Sequence, residues 1–154
     1  MKCSFILGDF MKSFPEDIRD MHLKFETLKK VEQMDAETLK KFVQFRINFI
    51  EEELNELKSA YETLLLCDFN LKQTYRSEIV DALVDIIVVS LGTIDLLKVE
   101  PFAAWMTVMD ANMDKVPGFN SKRPNPFGLP DLIKPWNWQA PDHKNNVGLL
   151  EKII

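Results

Sequence analysis

The side chains of this sequence best suited to chemistry are carboxylates grouped in two places. The first group lies in the run Glu51-Glu52-Glu53-Leu54-Asn55-Glu56, inside a long segment with apolar residues at helical spacing. At about 100° per residue, Glu53 falls in the middle of the apolar stripe, Glu56 at its edge and Glu52 just beyond, whereas Glu51 points to the opposite side. The stripe consists of Leu39, Phe42, Phe49, Leu57, Ala60 and Leu64. This phase predicts that two or three of the glutamates face the interior.

The second group consists of Glu78, Asp81 and Asp85. Their spacings place all three on one face of a predicted helix. The segment that carries them is otherwise apolar nearly all round as far as Gly92, with Asp95 as a further acid lower down. That pattern is typical of a helix buried on most of its sides, so these carboxylates also stand in an unusual place.

Carboxylates that face a core need positive charge beside them. An isolated buried carboxylate costs several kcal/mol or stays protonated, and Arg46 is the only basic residue near the apolar stripe. A ligand set made only of oxygens selects hard cations, so the pattern predicts Mg²⁺, or Mn²⁺, held between the two helices. The alternative is a row of rim carboxylates or a salt-bridged network. Two acidic groups that are each in phase with an apolar stripe favour the metal site.

Four helices are predicted to position these groups. Ser13 with Glu16 forms a capping-box pattern, Asp35 is a good N-cap, and Pro101 suits a first helical turn. The predicted helices span residues 13–30, 35–66, 74–97 and 101–115. No segment alternates as a strand does, so the predicted fold is an all-α four-helix bundle.

The composition changes after residue 116. Six of the eight prolines lie between Pro117 and Pro141, together with Trp136 and Trp138. Flexible linkers lack tryptophan, so this segment is predicted to be an extended Pro/Trp-rich tail wrapped on the helices. The expected organisation is a helical domain at 1–116 and a C-terminal tail at 117–154 packed on that same domain.

Charge and composition narrow the class of protein. The 154-residue chain carries a net charge of −5, which argues against a general nucleic-acid or membrane-surface binder, because such proteins show a basic field. No run approaches the ~18 apolar residues of a membrane span. The cysteines, Cys3 and Cys67, lack metal-type spacing and are predicted to be reduced thiols. A cytoplasmic protein is expected, in a host cytoplasm if the chain is viral.

The two acidic motifs resemble the paired motif of a known superfamily. Glu52-Glu53-x-x-Glu56 followed by Glu78-x-x-Asp81 is similar to the MazG-like all-α nucleoside triphosphate pyrophosphohydrolases, which include MazG, the dimeric dUTPases and phosphoribosyl-ATP pyrophosphohydrolase. The likeness covers about residues 15–115 and is closest to small MazG-like proteins of bacteria and phages. Its further segments are Asp17 to Phe25, Phe45 to Phe49, Asp81 to Asp85 before Gly92, and Ala111 to Lys115. Each motif is weak alone, and all of them in order are fairly specific.

The resemblance implies a magnesium-dependent enzyme that cleaves a nucleoside triphosphate, ribo or deoxy, into a monophosphate and pyrophosphate. Glu52 resembles the glutamate that orients or deprotonates the attacking water in that family. Asp85 matches a further family acid, either a ligand or a group behind the ligands. The metal ligands that the resemblance implies are Glu53, Glu56, Glu78 and Asp81.

The resemblance also implies where the substrate binds. Asn112 and Lys115 match positions expected near the nucleotide, and Arg46, the basic residue near the stripe, is expected to join them. The base is not predicted: canonical deoxynucleotides, dUTP, oxidised nucleotides, an alarmone and a phosphoribosyl-nucleotide all remain open.

Assembly is predicted from the apolar character of the third helix. A four-helix protomer cannot cover all of its apolar sides, and the likeness to the family indicates the same, so a homodimer or a dimer of dimers is expected. On the fourth helix, Phe102, Trp105, Met109 and Met113 form a stripe that is predicted to be core.

Two other classes compete with the enzyme. A di-iron bundle needs Glu-x-x-His pairs, but Arg19 and Ala140 stand three residues before the only histidines, His22 and His143. A non-catalytic helical dimerisation module is the serious alternative. Every acid of the motif is present, which favours the enzyme.

Overall fold

The computed structural model describes residues 12–122 and 125–153, and the fold of these residues is all-α, as the sequence predicts. Its helices are α1 (Phe14–Lys24), α2 (Thr27–Glu32), α3 (Ala36–Leu66), α4 (Lys72–Leu96) and α5 (Pro101–Met113). Short 3-10 turns at Phe69–Leu71 and Gly148–Lys152 and the strands β1 (Val116–Gly118) and β2 (Asp131–Ile133) complete the elements. Cys67 is a free, half-buried cysteine, and Cys3 lies outside the described residues.

The helix starts follow the predicted capping residues. The Ser13 hydroxyl and the Ser13 backbone N–H both donate to the Glu16 carboxylate at 2.7 Å. The hydroxyl first, and then the N–H, holds the pKa of Glu16 below its usual value. Asp35 Oδ1 accepts from the Thr38 backbone N–H at 2.8 Å. At the start of α5, the Glu100 carboxylate accepts from two backbone N–H groups. These contacts satisfy N–H groups that have no partner inside their own helix.

The first predicted helix is not continuous. Instead of running from 13 to 30, it ends at Lys24, and Glu26 takes a left-handed conformation with φ 55° before α2 begins. No glycine or proline marks this break. After it, α2 places Leu28 and Val31 against the hydrophobic core, so tertiary packing compensates for the strained residue.

The hydrophobic core lies at one end of the α3–α4 pair. Val31, Leu39, Leu96 and Leu97 are its buried members. The C-terminal segment closes this end, because the Leu149 backbone N–H donates to the Leu97 carbonyl at 2.7 Å. The preceding residue has to be glycine: Gly148 has φ +54°, and a Cβ there would lie 2.1 Å from the Leu97 oxygen.

Helices α3 and α4 form an antiparallel pair that one arginine, in addition to the hydrophobic core, links by hydrogen bonds. Arg46 Nη2 donates to the Val89 carbonyl at 2.8 Å, and Arg46 Nε donates to Thr93 Oγ1 at 2.9 Å. The guanidinium carbon also lies 5.3 Å from the centre of the Phe49 ring. Burial lowers the pKa of Arg46. This contact crosses the pair between the core and the acidic residues.

Within the described residues of one protomer, α4 is not buried on most sides, contrary to the prediction. Val80, Leu83, Val84 and Ile87 are between 47% and 61% exposed, because no element among the described residues packs over this face. Although α4 is rich in apolar residues, no helix in the described ranges is both long and apolar enough to cross a membrane.

The predicted core stripe of α5 is also largely exposed. Phe102, Trp105 and Met113 each expose more than half of their surface, while Met109 is half-buried. Helix α5 contacts α4 and otherwise packs little on the bundle. Helix α5 therefore carries apolar side chains that the described residues of its own chain leave uncovered.

The tail contains a short β-ribbon, which the sequence does not predict. Strands β1 and β2 pair antiparallel, with Pro117 opposite Leu132. Trp138 Nε1 donates to the Ala111 carbonyl at 2.6 Å, which ties the tail to α5. Trp136, in contrast, is 98% exposed. The division of the chain into domains at residue 116 stays a prediction.

Candidate metal centre

Glu53 is the buried carboxylate at the centre of the acidic group. It exposes only 9% of its surface, as its phase on the helix predicts. Glu52 and Glu56 are exposed, so one glutamate faces the interior and the prediction of two or three is wrong. Burial raises its pKa, and four neighbouring carboxylates raise it further: Glu56, Asp85, Glu52 and Asp81, in that order. Two of these neighbours come from α3 and two from α4. The pairing of the helices therefore brings both acidic motifs around a single buried side chain.

A cleft of about 240 Å³ runs between α3 and α4 beside this group. Ala60 and Ala82 line it and are buried, and their small side chains leave room between the helices. Three of the four expected metal ligands line the same cleft: Glu56 from α3, and Glu78 and Asp81 from α4. The other lining residues are Ser59, Thr63 and Tyr75. The fourth expected ligand, Glu53, neighbours Glu56 and Asp81 electrostatically.

No cation neutralises these carboxylates within the described part of the chain. The ion pairs found there are elsewhere, at the lysines, Arg19 and His22. Across residues 12–122 and 125–153, no three His, Cys, Asp or Glu side chains already stand arranged around a metal position. The donor set itself consists of unpaired carboxylate oxygens from two helices. It therefore fits a hard divalent cation by its chemistry.

The other two predicted acids, Glu52 and Asp85, also lie near Glu53. Glu52 is exposed on α3, and Asp85 is half-buried on α4, about one turn beyond Asp81. Both raise the pKa of Glu53, so both are close to it. Glu52 is exposed to solvent and lies next to the buried Glu53 carboxylate. A residue that activates a water molecule needs such a position, because it has to reach both solvent and the metal ligands.

The three predicted substrate-binding residues are not brought to the cleft. Lys115 Nζ donates to Asn112 Oδ1 at 2.8 Å, so these two residues pair with each other at the end of α5. Arg46 stands seven residues before Glu53, ~10 Å along the helix at 1.5 Å per residue, and uses its guanidinium to bind α4. Their role toward substrate stays a prediction.

The structure also contains a buried polar cluster that the sequence reading does not identify. Asp95 is 3% exposed, and its two oxygens contact Arg19 Nη2 and His22 Nδ1, each at 2.6 Å. A Cβ on Gly92 would lie 3.4 Å from His22 Nε2 and 3.3 Å from Arg46 Nη2. The cluster ties α1 to α4. The sequence features that could have predicted this cluster are Asp95 on the apolar helix α4 and two basic residues, Arg19 and His22, three apart on α1.

Comparison with protein-family models and with curated proteins finds no match. The site is therefore described by the residues that form it: a buried glutamate, four nearby carboxylates from two paired helices, and an adjoining cleft.

Proposed function

We propose that this protein is a Mg²⁺-dependent nucleotide pyrophosphohydrolase that converts a (d)NTP to a (d)NMP and pyrophosphate, for control or cleaning of the nucleotide pool. One observation supports this most strongly. Glu53 is buried beside four other carboxylates, of which Glu52, Glu56 and Asp81 are exposed and Asp85 is half-buried. None of the five is paired with a cation in the described ranges. Such an arrangement is costly for a protein unless cations occupy it.

The proposed ligands are Glu53, Glu56, Glu78 and Asp81, with Asp85 bound directly or supporting them. When bound, divalent cations neutralise phosphate charge and make a bound water more acidic. The raised pKa of Glu53 has the consequence that metal binding competes with a proton at this residue. Mn²⁺ fits the same oxygen donors.

Glu52 is the proposed base. It is exposed and adjacent to the buried ligand, so it accepts the proton of the attacking water. The water oxygen forms a bond to the α-phosphorus, the bond from that phosphorus to the bridging oxygen breaks, and pyrophosphate leaves. The choice of the α-phosphorus rests on the resemblance to the MazG-like enzymes.

A second copy of the chain is the proposed cover for the exposed face of α4. Val80, Leu83, Val84 and Ile87 follow helical spacing and form one continuous stripe. Burying a side chain of this size contributes ~1.5–3 kcal/mol, which favours a two-fold homodimer or a dimer of dimers. The same observation favours the second candidate function, a helical dimerisation module without catalysis.

Pyrophosphate release separates the two candidates. Purified protein is incubated with a panel that includes canonical nucleotides, dUTP, oxidised nucleotides, an alarmone and phosphoribosyl-ATP, with Mg²⁺ and with EDTA. The expected result is magnesium-dependent turnover of at least one member, abolished by Glu53→Gln and retained by Glu51→Gln. A dimer that turns over none of them would support the module and contradict the enzyme.

Labelled water locates the bond that breaks. Hydrolysis in ¹⁸O water is expected to place the label in the monophosphate, because the attacking oxygen stays on the α-phosphorus. Label found only in pyrophosphate or inorganic phosphate would contradict the proposed reaction.

A further inference from the structure

The cleft between α3 and α4 contains one aromatic side chain, Tyr75, to which the proposed reaction gives no role. Tyr75 lies on α4 one turn before Glu78, a spacing that puts the two residues on the same face. It is half-buried and lines the cleft together with Glu56, Glu78 and Asp81. A phenol thus stands beside three of the proposed metal ligands.

The cleft is rich in acceptors and poor in donors. Its carboxylates only accept hydrogen bonds when ionised, and no lysine or arginine is among its lining residues. The Thr63 hydroxyl already donates to the Ser59 carbonyl at 2.8 Å, and Ser59 is exposed. The Tyr75 hydroxyl makes no hydrogen bond to the described part of the chain, so its proton is available to a ligand.

We infer that Tyr75 is a substrate-binding residue whose hydroxyl donates a hydrogen bond to a phosphate oxygen of the nucleotide in the α3–α4 cleft. The inference rests on the proposed function. A polyphosphate entering this cleft meets carboxylates that repel it, so it needs metal ions and uncharged donors. Tyr75 supplies such a donor without adding a group that displaces the metal, because a neutral phenol is a weak ligand beside carboxylates.

Two single-atom variants test the inference. Tyr75→Phe removes only the hydroxyl oxygen and keeps the ring that packs in the cleft. The chain offers a matched control in its other tyrosine: Tyr61 is 54% exposed on α3 and does not line the cleft. Tyr61→Phe is therefore the same chemical change outside the site.

Steady-state turnover of the best nucleotide from the panel is measured for all three proteins, well below their melting temperatures. We expect kcat/KM to fall roughly ten- to a hundredfold in Tyr75→Phe, the loss expected for a hydrogen bond to a charged acceptor. Tyr61→Phe is expected to match the wild type. Mg²⁺ affinity without nucleotide, measured by calorimetry, is expected to be the same in all three.

Three results would overturn the inference, and they are distinguishable. Turnover by Tyr75→Phe within about twofold of the wild type removes Tyr75 from substrate binding and leaves the proposed function intact. Weaker Mg²⁺ binding by Tyr75→Phe without nucleotide would place the residue at the metal instead of the phosphate. A wild-type protein that turns over no nucleotide ends both the proposed function and the inference.

Discussion

Replacing Glu53 by glutamine is expected to make the metal-free protein more stable while it abolishes activity. The change keeps the size of the side chain and removes a charge that burial disfavours most and that four neighbouring carboxylates disfavour further. A like-charge pair at close helical spacing costs ~0.2–0.5 kcal/mol. Only Glu56 stands at that spacing from Glu53; taking the same magnitude for each of the four neighbours, relief of the repulsion contributes ~1–2 kcal/mol. This corresponds to a rise in melting temperature of ~2–8 °C for a chain of this length.

The pH dependence of stability independently checks whether the Glu53 charge destabilises the metal-free protein. The folded-state pKa of Glu53 is raised above the ordinary value of 4.5, so above that pH the native state binds more protons than the unfolded state. Stability from this group is therefore present at low pH and is lost as pH rises through the folded pKa. The advantage of Glu53→Gln over the wild type should be small near pH 4 and larger at pH 7.

Mg²⁺ should reverse the order of thermal stability of the wild type and Glu53→Gln. A ligand present at about 100 times its Kd stabilises the state that binds it by ~2.7 kcal/mol. The wild type is expected to gain this stabilisation, whereas Glu53→Gln gains little because a proposed ligand is lost. Thermal melts in EDTA and in Mg²⁺, at one fixed protein concentration, measure both effects.

Glu51→Gln is the matched control, since it removes the same charge from an exposed residue that points away from Glu53 by helical phase. Its melting temperature should change little in EDTA and should still rise with Mg²⁺. A Glu53→Gln variant that is less stable than the wild type in EDTA would refute the electrostatic account. An equal response of wild type and Glu53→Gln to Mg²⁺ would refute the metal assignment.

Three further predictions concern the rest of the molecule. Asp95→Ala leaves two basic partners without their carboxylate and should lower the free energy of unfolding in urea by about 2–3 kcal/mol; an unchanged urea midpoint would contradict the role of the cluster. Val84→Glu should convert the proposed dimer to a species near 17.9 kDa by light scattering, and a wild type of that mass would contradict the proposed dimer. Trp138→Phe loses the hydrogen bond to α5 and should cost ~1 kcal/mol, whereas Trp136→Phe should be silent; equal urea midpoints for these two variants would mean that the tail contact contributes nothing.

The sequence predicts the helices well where local signals decide their ends. Ser13, Asp35 and Pro101 are such signals, and helices start beside them. The break at Glu26 has no local signal, because it depends on how α2 packs against α3 and α4. The β-ribbon also has no signal in the sequence, since each strand has only three residues, too few to show alternation, and β1 contains a proline.

The candidate site is predictable to the extent that one helix decides it. The phase of Glu53 within its apolar stripe predicts its burial, and the paired helices bring the second acidic motif beside it. Contacts between elements distant in the chain are not predictable in this way. From the sequence, Arg46 is predicted to bind substrate, whereas in the structure its guanidinium joins α3 to α4.

The two hydrogen bonds from Arg46 to α4 affect how precisely the acidic residues of α3 and α4 are aligned along the helix axes. Two helices with repeating apolar stripes can in principle slide past each other by one turn, ~5.4 Å, and still bury similar surfaces. Arg46 prevents this, because its donors fit the Val89 carbonyl and the Thr93 hydroxyl of one particular turn. A slip of that size exceeds the ~4 Å spanned by two Mg²⁺–oxygen bonds. One guanidinium thus fixes the axial alignment that any metal shared by α3 and α4 requires.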